Sequence, residues 1–169
     1  MELKEALLKR RSVRKFTAQP VPEDLIEEML HAAMSGPSAC NKRPWDFYAV
    51  TNEAVLEGLR KTSHFSNFKA PLAIVVCGNL ERALPGDSAP FWIQDCSAAI
   101  QNILLRAVDL GLGAVWCGVH PVKRSVAVVK EVLNLGENQI PLGLLHIGYP
   151  AEASEARDQY EAGAVHYIR

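Results

Sequence analysis

The sequence has few of the residues from which disulfide frameworks and metal centres are built. Its 169 residues include four cysteines and five histidines. The cysteines stand singly, with no C-x-x-C pair, which excludes the spacing of a zinc knuckle or of a disulfide-stapled scaffold. The histidines form no H-E-x-x-H pattern. We therefore expect neither structural disulfides nor a bound metal ion.

Long apolar runs and net charge are also missing. No apolar stretch approaches the roughly 20 residues that a helix needs to cross a bilayer, and no apolar signal core follows residues 1–5. The formal net charge is -1, which disfavours nucleic acid or an anionic membrane as the main partner. The sequence therefore predicts a cytoplasmic protein without nucleic-acid or membrane partners.

What remains is the composition of a globular domain, 49% hydrophobic and 22% charged. With no repeat or linker, residues 1–169 are predicted to form a single domain. Apolar periodicity predicts helices at residues 3–11, 22–35, 53–60, 91–110 and 122–133, and strands at 46–50, 70–78, 113–119 and 140–148. The intermixed order predicts an α+β or α/β sandwich around one sheet.

Four cations lie within six residues near the N-terminus: Arg10, Arg11, Arg14 and Lys15. A solvated basic face is one interpretation of such a run. An anion site is the other, because arginine can bind phosphate in a bidentate manner and the hydroxyl of Ser12 adds a donor. The sequence alone leaves both interpretations open.

Residues 37–45, P-S-A-C-N-K-R-P-W, form the second notable segment. It follows a helix-breaking Gly36-Pro37 pair and offers the short polar side chains of Ser38 and Asn41. It is either a connecting loop that carries a buried Trp45 or a loop that binds a ligand.

Conventional catalytic side-chain patterns are scarce. There is no G-x-S-x-G, no paired carboxylate suited to glycosidase chemistry and no G-x-G-x-x-G fingerprint at residues 113–118. Cys40 stays open as a nucleophile, because basic residues near it would lower the pKa of its thiol. The pattern is typical of an enzyme whose cofactor carries the chemistry.

These segments, in this order, resemble the FMN-dependent nitroreductase family. Residues 10–16 are similar to its R-x-S-x-[RK]-x-F motif, and residues 37–45 to its P-S-x-x-N-x-Q-P-W segment. Residues 95–102 followed by 111–118 are similar to its central helix and the strand after it. The resemblance implies a nitroreductase-like α/β sandwich, with a mostly antiparallel sheet flanked by helices, that forms an intertwined homodimer with FMN at the interface.

The resemblance also implies which residues bind FMN: Arg10, Arg11, Ser12, Arg14, Pro37, Ser38, Asn41, Trp116, Cys117, Gly118, Val119 and Arg157. In this assignment Arg10 and Ser12 lie near the phosphate. Arg14 lies near the N1/C2 edge of the ring, where a cation favours the reduced anionic flavin.

The remaining residues have assigned positions too. Pro37, Ser38 and Asn41 reach the flavin from the partner subunit, and residues 116–119 lie along the ring, with the amide of Gly118 near flavin N5. Arg157 adds a cation for the phosphate.

The activity implied is an NAD(P)H-dependent oxidoreductase. NADH or NADPH transfers a hydride to FMN N5, and a nitroaromatic, a quinone or a similar electron-poor small molecule is then reduced in a ping-pong cycle. No side chain need act as a catalytic acid or base. Two alternatives stay open: a specialised flavin enzyme of the same fold, acting in flavin destruction, dehalogenation or ring dehydrogenation, or a non-catalytic flavin-binding dimer.

Three departures from the family pattern stand out. Arg43 occupies the position where the family usually has glutamine before Pro-Trp, and Gln159 occupies that of a second phosphate-binding cation. The loop of residues 79–90 is short for a lid, so the resemblance does not carry over the identity of the acceptor.

Overall fold

Five helices and four strands follow one another along the chain. The computed structural model describes residues 1–169. The helices are α1 (Leu3–Lys9), α2 (Glu23–Met34), α3 (Glu53–Arg60), α4 (Phe91–Asp109) and α5 (Lys123–Leu133). The strands are β1 (Trp45–Val50), β2 (Leu72–Asn79), β3 (Gly113–Gly118) and β4 (Gln139–Gly148). Every predicted helix and strand is present, with ends that differ by no more than two residues.

The four strands form one sheet in the order β1-β2-β4-β3. Each neighbouring pair is antiparallel, which confirms the predicted α+β class. β2 is an inner strand, and residues 72–78 along it are buried, as the nearly continuous apolar run of a strand covered on both faces predicts. β3 forms one edge of the sheet, so its outer side has no neighbouring strand of the sheet.

Helices cover both faces of the sheet because the strand side chains alternate between them. On one face, Ile74 and Leu145 pack with Ile100 of α4 and Met29 of α2. On the other, residues such as Leu144 pack beneath α3 and α5. The result is a layered sandwich with α4 as its long central helix, buried along one side.

Local signals fix the helix ends. Asn52 begins α3, because its Oδ1 accepts hydrogen bonds from the amides of Ala54 and Val55 at 3.1 and 3.2 Å. α5 ends at Asn134, which adopts the left-handed conformation with φ of 50°. These two ends, the beginning of α3 and the end of α5, are therefore fixed by residues suited to capping.

The C-terminal residues 151–169 lie along the surface, and all of them are exposed. The amide of Arg157 donates to the carbonyl oxygen of Leu8 at 2.9 Å, which holds this segment beside the end of α1. Among the helices, not one combines the length and the apolar character needed to cross a membrane.

Candidate functional site

The basic N-terminal segment lies along the open edge of the sheet. Ser12 forms a parallel bridge with Ala114 of β3, and the amide of Val13 donates to the Ala114 carbonyl at 3.0 Å. Val13 packs directly over Gly113, where an added Cβ would approach the valine side chain to 2.7 Å. Backbone pairing and this close contact therefore fix the segment that carries Arg10 and its neighbours.

Arg10, Ser12 and Trp116 line one cavity of ≈ 320 Å³. Its other walls are Gln101 and Leu104 of α4 together with Ala114. Trp116 is 38% exposed although it lies on a strand. The cavity thus combines a guanidinium, a hydroxyl and an accessible aromatic surface, which are the groups that suit an anionic aromatic ligand.

The indole of Trp116 lies across the backbone of β4. An added Cβ on Gly143 would come within 2.3 Å of the indole Nε1 and 3.1 Å of the Ile100 Cδ1. Glycine at position 143 is therefore what allows the indole to occupy this place. Gln101 lines the cavity and Gly143 supports it, although neither was among the predicted site residues. The sequence signal for Gly143 was a glycine inside an apolar strand, and that for Gln101 was a polar residue within the family-like segment 95–102.

A second cavity of ≈ 250 Å³ adjoins the first, since Ser12 lines both. It holds Arg11, Arg14 and Lys15, facing residues 152–154. Lys15 pairs with Glu152 at 2.5 Å. Arg10, Arg11 and Arg14 make no ion pair, so three guanidinium groups without a carboxylate partner line the two cavities together with Ser12.

Side chains along β3 alternate between open and buried positions. Trp116 and Gly118 are exposed, whereas Cys117 and Val119 are buried on the opposite face. An added Cβ on Gly118 would meet no atom within 4 Å, so the strand end is open. A ligand beside β3 can therefore contact Cys117 and Val119 only through main-chain atoms.

Cys117 itself is not a reactive thiol. Its Sγ donates to the carbonyl oxygen of Phe65 at 3.4 Å. Burial raises the pKa of the Cys117 thiol to about 11, and the positive charge of Arg14 opposes part of that rise. The group is thus a neutral thiol at physiological pH.

The loop that carries Ser38 and Asn41 is organised by its own hydrogen bonds. The Ser38 Oγ accepts from the amide of Arg43 at 3.0 Å, and the Asn41 Oδ1 accepts from the Arg43 Nε at 2.9 Å. The amide of Ala39 donates to the Asp95 Oδ1 of α4 at 2.9 Å. These contacts hold the loop against the start of the central helix.

The same loop contains strained backbone. Cys40, Asn41 and Arg43 have φ values of 51°, 53° and 48°, a left-handed conformation that residues with side chains rarely adopt. Strain of this kind persists only where surrounding structure holds it, and it is concentrated at functional sites. Trp45 is 5% exposed and belongs to the core, as the first interpretation of this segment predicted.

The predicted site residues fall into two groups within one chain. Arg10, Arg11, Ser12, Arg14 and residues 116–118 lie together at the β3 edge, and the backbone of Arg157 lies beside the end of α1. Pro37, Ser38 and Asn41 line neither of the two cavities there. No group of three or more histidine, cysteine or carboxylate side chains is placed to hold a metal ion.

Comparison with known proteins identifies the family to which this chain belongs. The model of the Nitroreductase family matches residues 7–71 and 63–149. A protein of Methanothermobacter thermautotrophicus with the provisional name NADH dehydrogenase/NAD(P)H nitroreductase is 44% identical over 170 residues, which cover 98% of this chain and 86% of that protein.

Solved structures agree with the sequence comparison. A protein of Parabacteroides distasonis with the same provisional name has a TM-score of 0.91 at 35% identity, covering 98% of this chain and 96% of that one. An FMN-dependent nitroreductase of Clostridium difficile has a TM-score of 0.89 at 28% identity, covering 98% and 99%. With the family model matched over most of its length, the chain belongs to the nitroreductase family.

Proposed function

We propose that this protein is an FMN-dependent oxidoreductase that uses NADH or NADPH to reduce electron-poor small molecules such as nitroaromatics and quinones. The observation that carries the proposal is the cavity in which Arg10 and Ser12 meet the exposed Trp116 beside the open end of β3. Family membership and the names of the relatives, which include FMN dependence and NAD(P)H, support it.

The residues present fit a flavin mononucleotide. A phosphate needs cationic and hydroxyl donors, which Arg10 and Ser12 supply without competing carboxylates. A flat ring needs an apolar surface and room to approach the backbone, which Trp116 and the unobstructed Gly118 supply. Arg157 is the further cation that we assign to the phosphate, because its backbone is anchored to Leu8 near Arg10.

The chain's own contribution to the reaction is binding and electrostatics. Bound FMN supplies the hydride-transfer chemistry between NAD(P)H and the acceptor. Arg14, exposed at the same edge and free of ion pairs, would supply positive charge that stabilises the negative charge of a reduced ring bound beside it. The buried neutral Cys117 offers no competing nucleophile.

A second copy of the chain completes the site in this proposal. The loop of Ser38 and Asn41 is held by its own hydrogen bonds and is exposed in part, yet neither residue lines the cavity of its own chain. Large apolar residues also remain uncovered: Leu3, Leu7, Met34, Tyr160, Tyr167 and Ile168 are each at least half exposed. Burial of such residues against a partner is favourable by about 25 cal/mol per Å² of apolar surface, which supports a homodimer.

The test is an FMN titration of the purified protein and of two variants. Arg10→Ala removes a proposed phosphate contact, and we expect FMN binding to weaken roughly tenfold because a charge-assisted hydrogen bond is lost. Lys9→Ala is the matched control, since it removes the same charge one residue earlier from a helix pair with Glu5. Equal FMN affinity in wild type and Arg10→Ala would count against the proposed site.

A further inference from the structure

A separate basic cavity lies at the beginning of α5. It measures ≈ 510 Å³ and is lined by Lys61, Thr62, Ser63, His64, Val122, Arg124 and Ser125. No acidic residue lines it, and Val122 is its one apolar residue. Arg124 makes no ion pair, and the nearest carboxylate oxygen to Lys61 is that of Glu57 at 3.9 Å on the exposed surface. The cavity therefore presents positive charge that the protein leaves largely uncompensated.

The backbone adds to this positive potential. α5 is 11 residues long, and no side chain caps its N-terminus at Val122. The first amides of a helix have no partner within the helix, and the helix dipole places partial positive charge there. Arg124 and Ser125 are in that first turn. An anion in the cavity would meet amides, hydroxyls and cations together.

A buried hydroxyl in the cavity wall points to a ligand independently. Thr62 is 3% exposed, and its Oγ1 has no hydrogen-bond partner. An unsatisfied buried hydroxyl costs about 1–3 kcal/mol, and most proteins avoid it. The loop that contains Thr62 and the beginning of α5 are held together, because the Ser125 Oγ donates to the Thr62 carbonyl oxygen at 3.2 Å. Thr62 lines the cavity, so a phosphate oxygen that displaced the wall enough to reach Oγ1 would give this hydroxyl its missing acceptor.

This cavity shares no lining residue with the cavity that holds the proposed FMN phosphate position. Ser12 bridges to Ala114 near the start of β3, whereas α5 begins five residues after Gly118 at its end. The six residues of β3 span roughly 17 Å, so one phosphate cannot occupy both places. The loop that supplies Thr62 also supplies Phe65, whose carbonyl oxygen accepts from the Cys117 Sγ on the face of β3 opposite the proposed flavin cavity. A dinucleotide that reached both cavities would therefore extend past this edge strand.

We propose that the cavity binds the 2′-phosphate of NADPH. This rests on the proposed function, because it assigns the cavity to the nicotinamide dinucleotide that would reduce the flavin. A phosphomonoester is the anion that matches several cations, hydroxyls and helix amides. NADH lacks this group, so the cavity would make the enzyme prefer NADPH.

The first test is steady-state kinetics of the FMN-loaded enzyme with a quinone acceptor. In Arg124→Ala we expect the KM for NADPH to rise roughly tenfold, the effect of one lost charge-assisted contact, while the KM for NADH stays the same. Lys123→Ala is the matched control, because Lys123 is in the same helical turn but does not line the cavity. An equal rise for NADPH and NADH, or an equal effect of Lys123→Ala, would overturn the proposal.

The second test measures binding without turnover. Calorimetric titration with adenosine 2′-monophosphate should give binding that weakens in Arg124→Ala and in Thr62→Val, a change that removes the hydroxyl at nearly constant volume. Adenosine alone should show no such dependence. Inorganic phosphate is the second probe: if its binding depends on Arg124 while the KM for NADPH does not, the cavity serves another phosphate and the NADPH assignment is refuted.

The two proposals fail in different ways. The visible spectrum and FMN affinity of each variant are measured alongside, and neither should change, since Arg124 and Thr62 lie outside the proposed flavin cavity. A protein that binds FMN and oxidises NADPH, with a KM indifferent to Arg124, refutes only the phosphate assignment. A protein that never binds FMN refutes the proposed function, whereas calorimetry with adenosine 2′-monophosphate still tests the cavity.

Discussion

Acidification should destabilise this protein through one buried histidine, His146 of β4. Its side chain has no exposed surface, and neither imidazole nitrogen has a hydrogen-bond partner. Phe68 covers it edge-on, with ring centroids 5.8 Å apart. Burial lowers the pKa of His146 to about 4; the backbone of Ser66 opposes the shift in part, and the charge of Arg60 adds to it.

The direction in which pH changes the free energy of unfolding follows from proton linkage. The pKa of His146 falls from 6.5 to about 4 on folding, so between these values the unfolded chain binds a proton that the folded chain does not. The stability that comes from the neutral imidazole is therefore present above about pH 6.5 and is lost as the pH falls towards 4. A shift of one pKa unit corresponds to about 1.36 kcal/mol. Acidification from about pH 7.5 to about pH 5 should therefore lower the free energy of unfolding by about 2 kcal/mol through His146.

The assay is urea denaturation followed by circular dichroism at both pH values, at one protein concentration. His146→Leu removes the titrating group at similar volume and leaves no buried nitrogen unpaired. His31→Gln is the control, because His31 is exposed on α2. Between the two pH values, we expect the free energy of unfolding of wild type and of His31→Gln to fall by about 2 kcal/mol more than that of His146→Leu. Carboxylates common to all three proteins cancel in this comparison, so the same loss in His146→Leu would refute the reasoning.

Three further predictions concern single contacts. Gly78→Ala should lower the free energy of unfolding by about 1–3 kcal/mol, because the new Cβ would lie 2.2 Å from the ring of Trp92; an unchanged urea midpoint would contradict that packing. Asn52→Ala should lower the free energy of unfolding by about 1 kcal/mol through loss of the α3 cap. In the same urea assay Asn52→Asp should keep most of the stability that the cap provides. Gly143→Ala should displace the indole of Trp116 and weaken FMN binding roughly tenfold; an FMN titration with wild-type affinity would show that the indole position does not matter.

The secondary structure could be predicted because its signals are local. The apolar period of residues 53–60 gave both ends of α3, where Asn52 caps the first turn. The continuous apolar run of β2 indicated an inner strand, and the structure confirms it. The order of the strands in the sheet was not predictable in the same way, since it depends on contacts between residues far apart in sequence.

The burial and hydrogen-bond partners of polar loop residues could not be predicted from the sequence either. Thr62 and Ser66 lie between the predicted helix at residues 53–60 and the predicted strand at residues 70–78, in a segment without apolar periodicity, yet both are buried. The Ser66 Oγ donates to the carbonyl of Arg60 at 3.2 Å, which satisfies that residue locally, whereas Thr62 has no such partner. Hydrophobic periodicity carries no information about which hydroxyl finds a partner, so the basic cavity beside Thr62 could be found only in the folded chain.

The residues that line the proposed flavin site were predictable in part. The sequence identified Arg10, Ser12 and Trp116 through a resemblance, and folding brings all three into one cavity. Strand alternation sends the side chain of Cys117 to the opposite face, a distinction that the motif alone does not make. The assigned roles of Ser38 and Asn41 in a partner's site stay predictions, since they depend on a second chain.

The most direct test of the account is a visible spectrum of the purified protein under anaerobic conditions, with FMN added, followed by NADPH or NADH. The account predicts a flavin band at about 450 nm that stays with the protein through gel filtration and bleaches when the nicotinamide nucleotide is added. Subsequent addition of a quinone should restore the band. A protein that remains colourless after incubation with FMN would contradict the account.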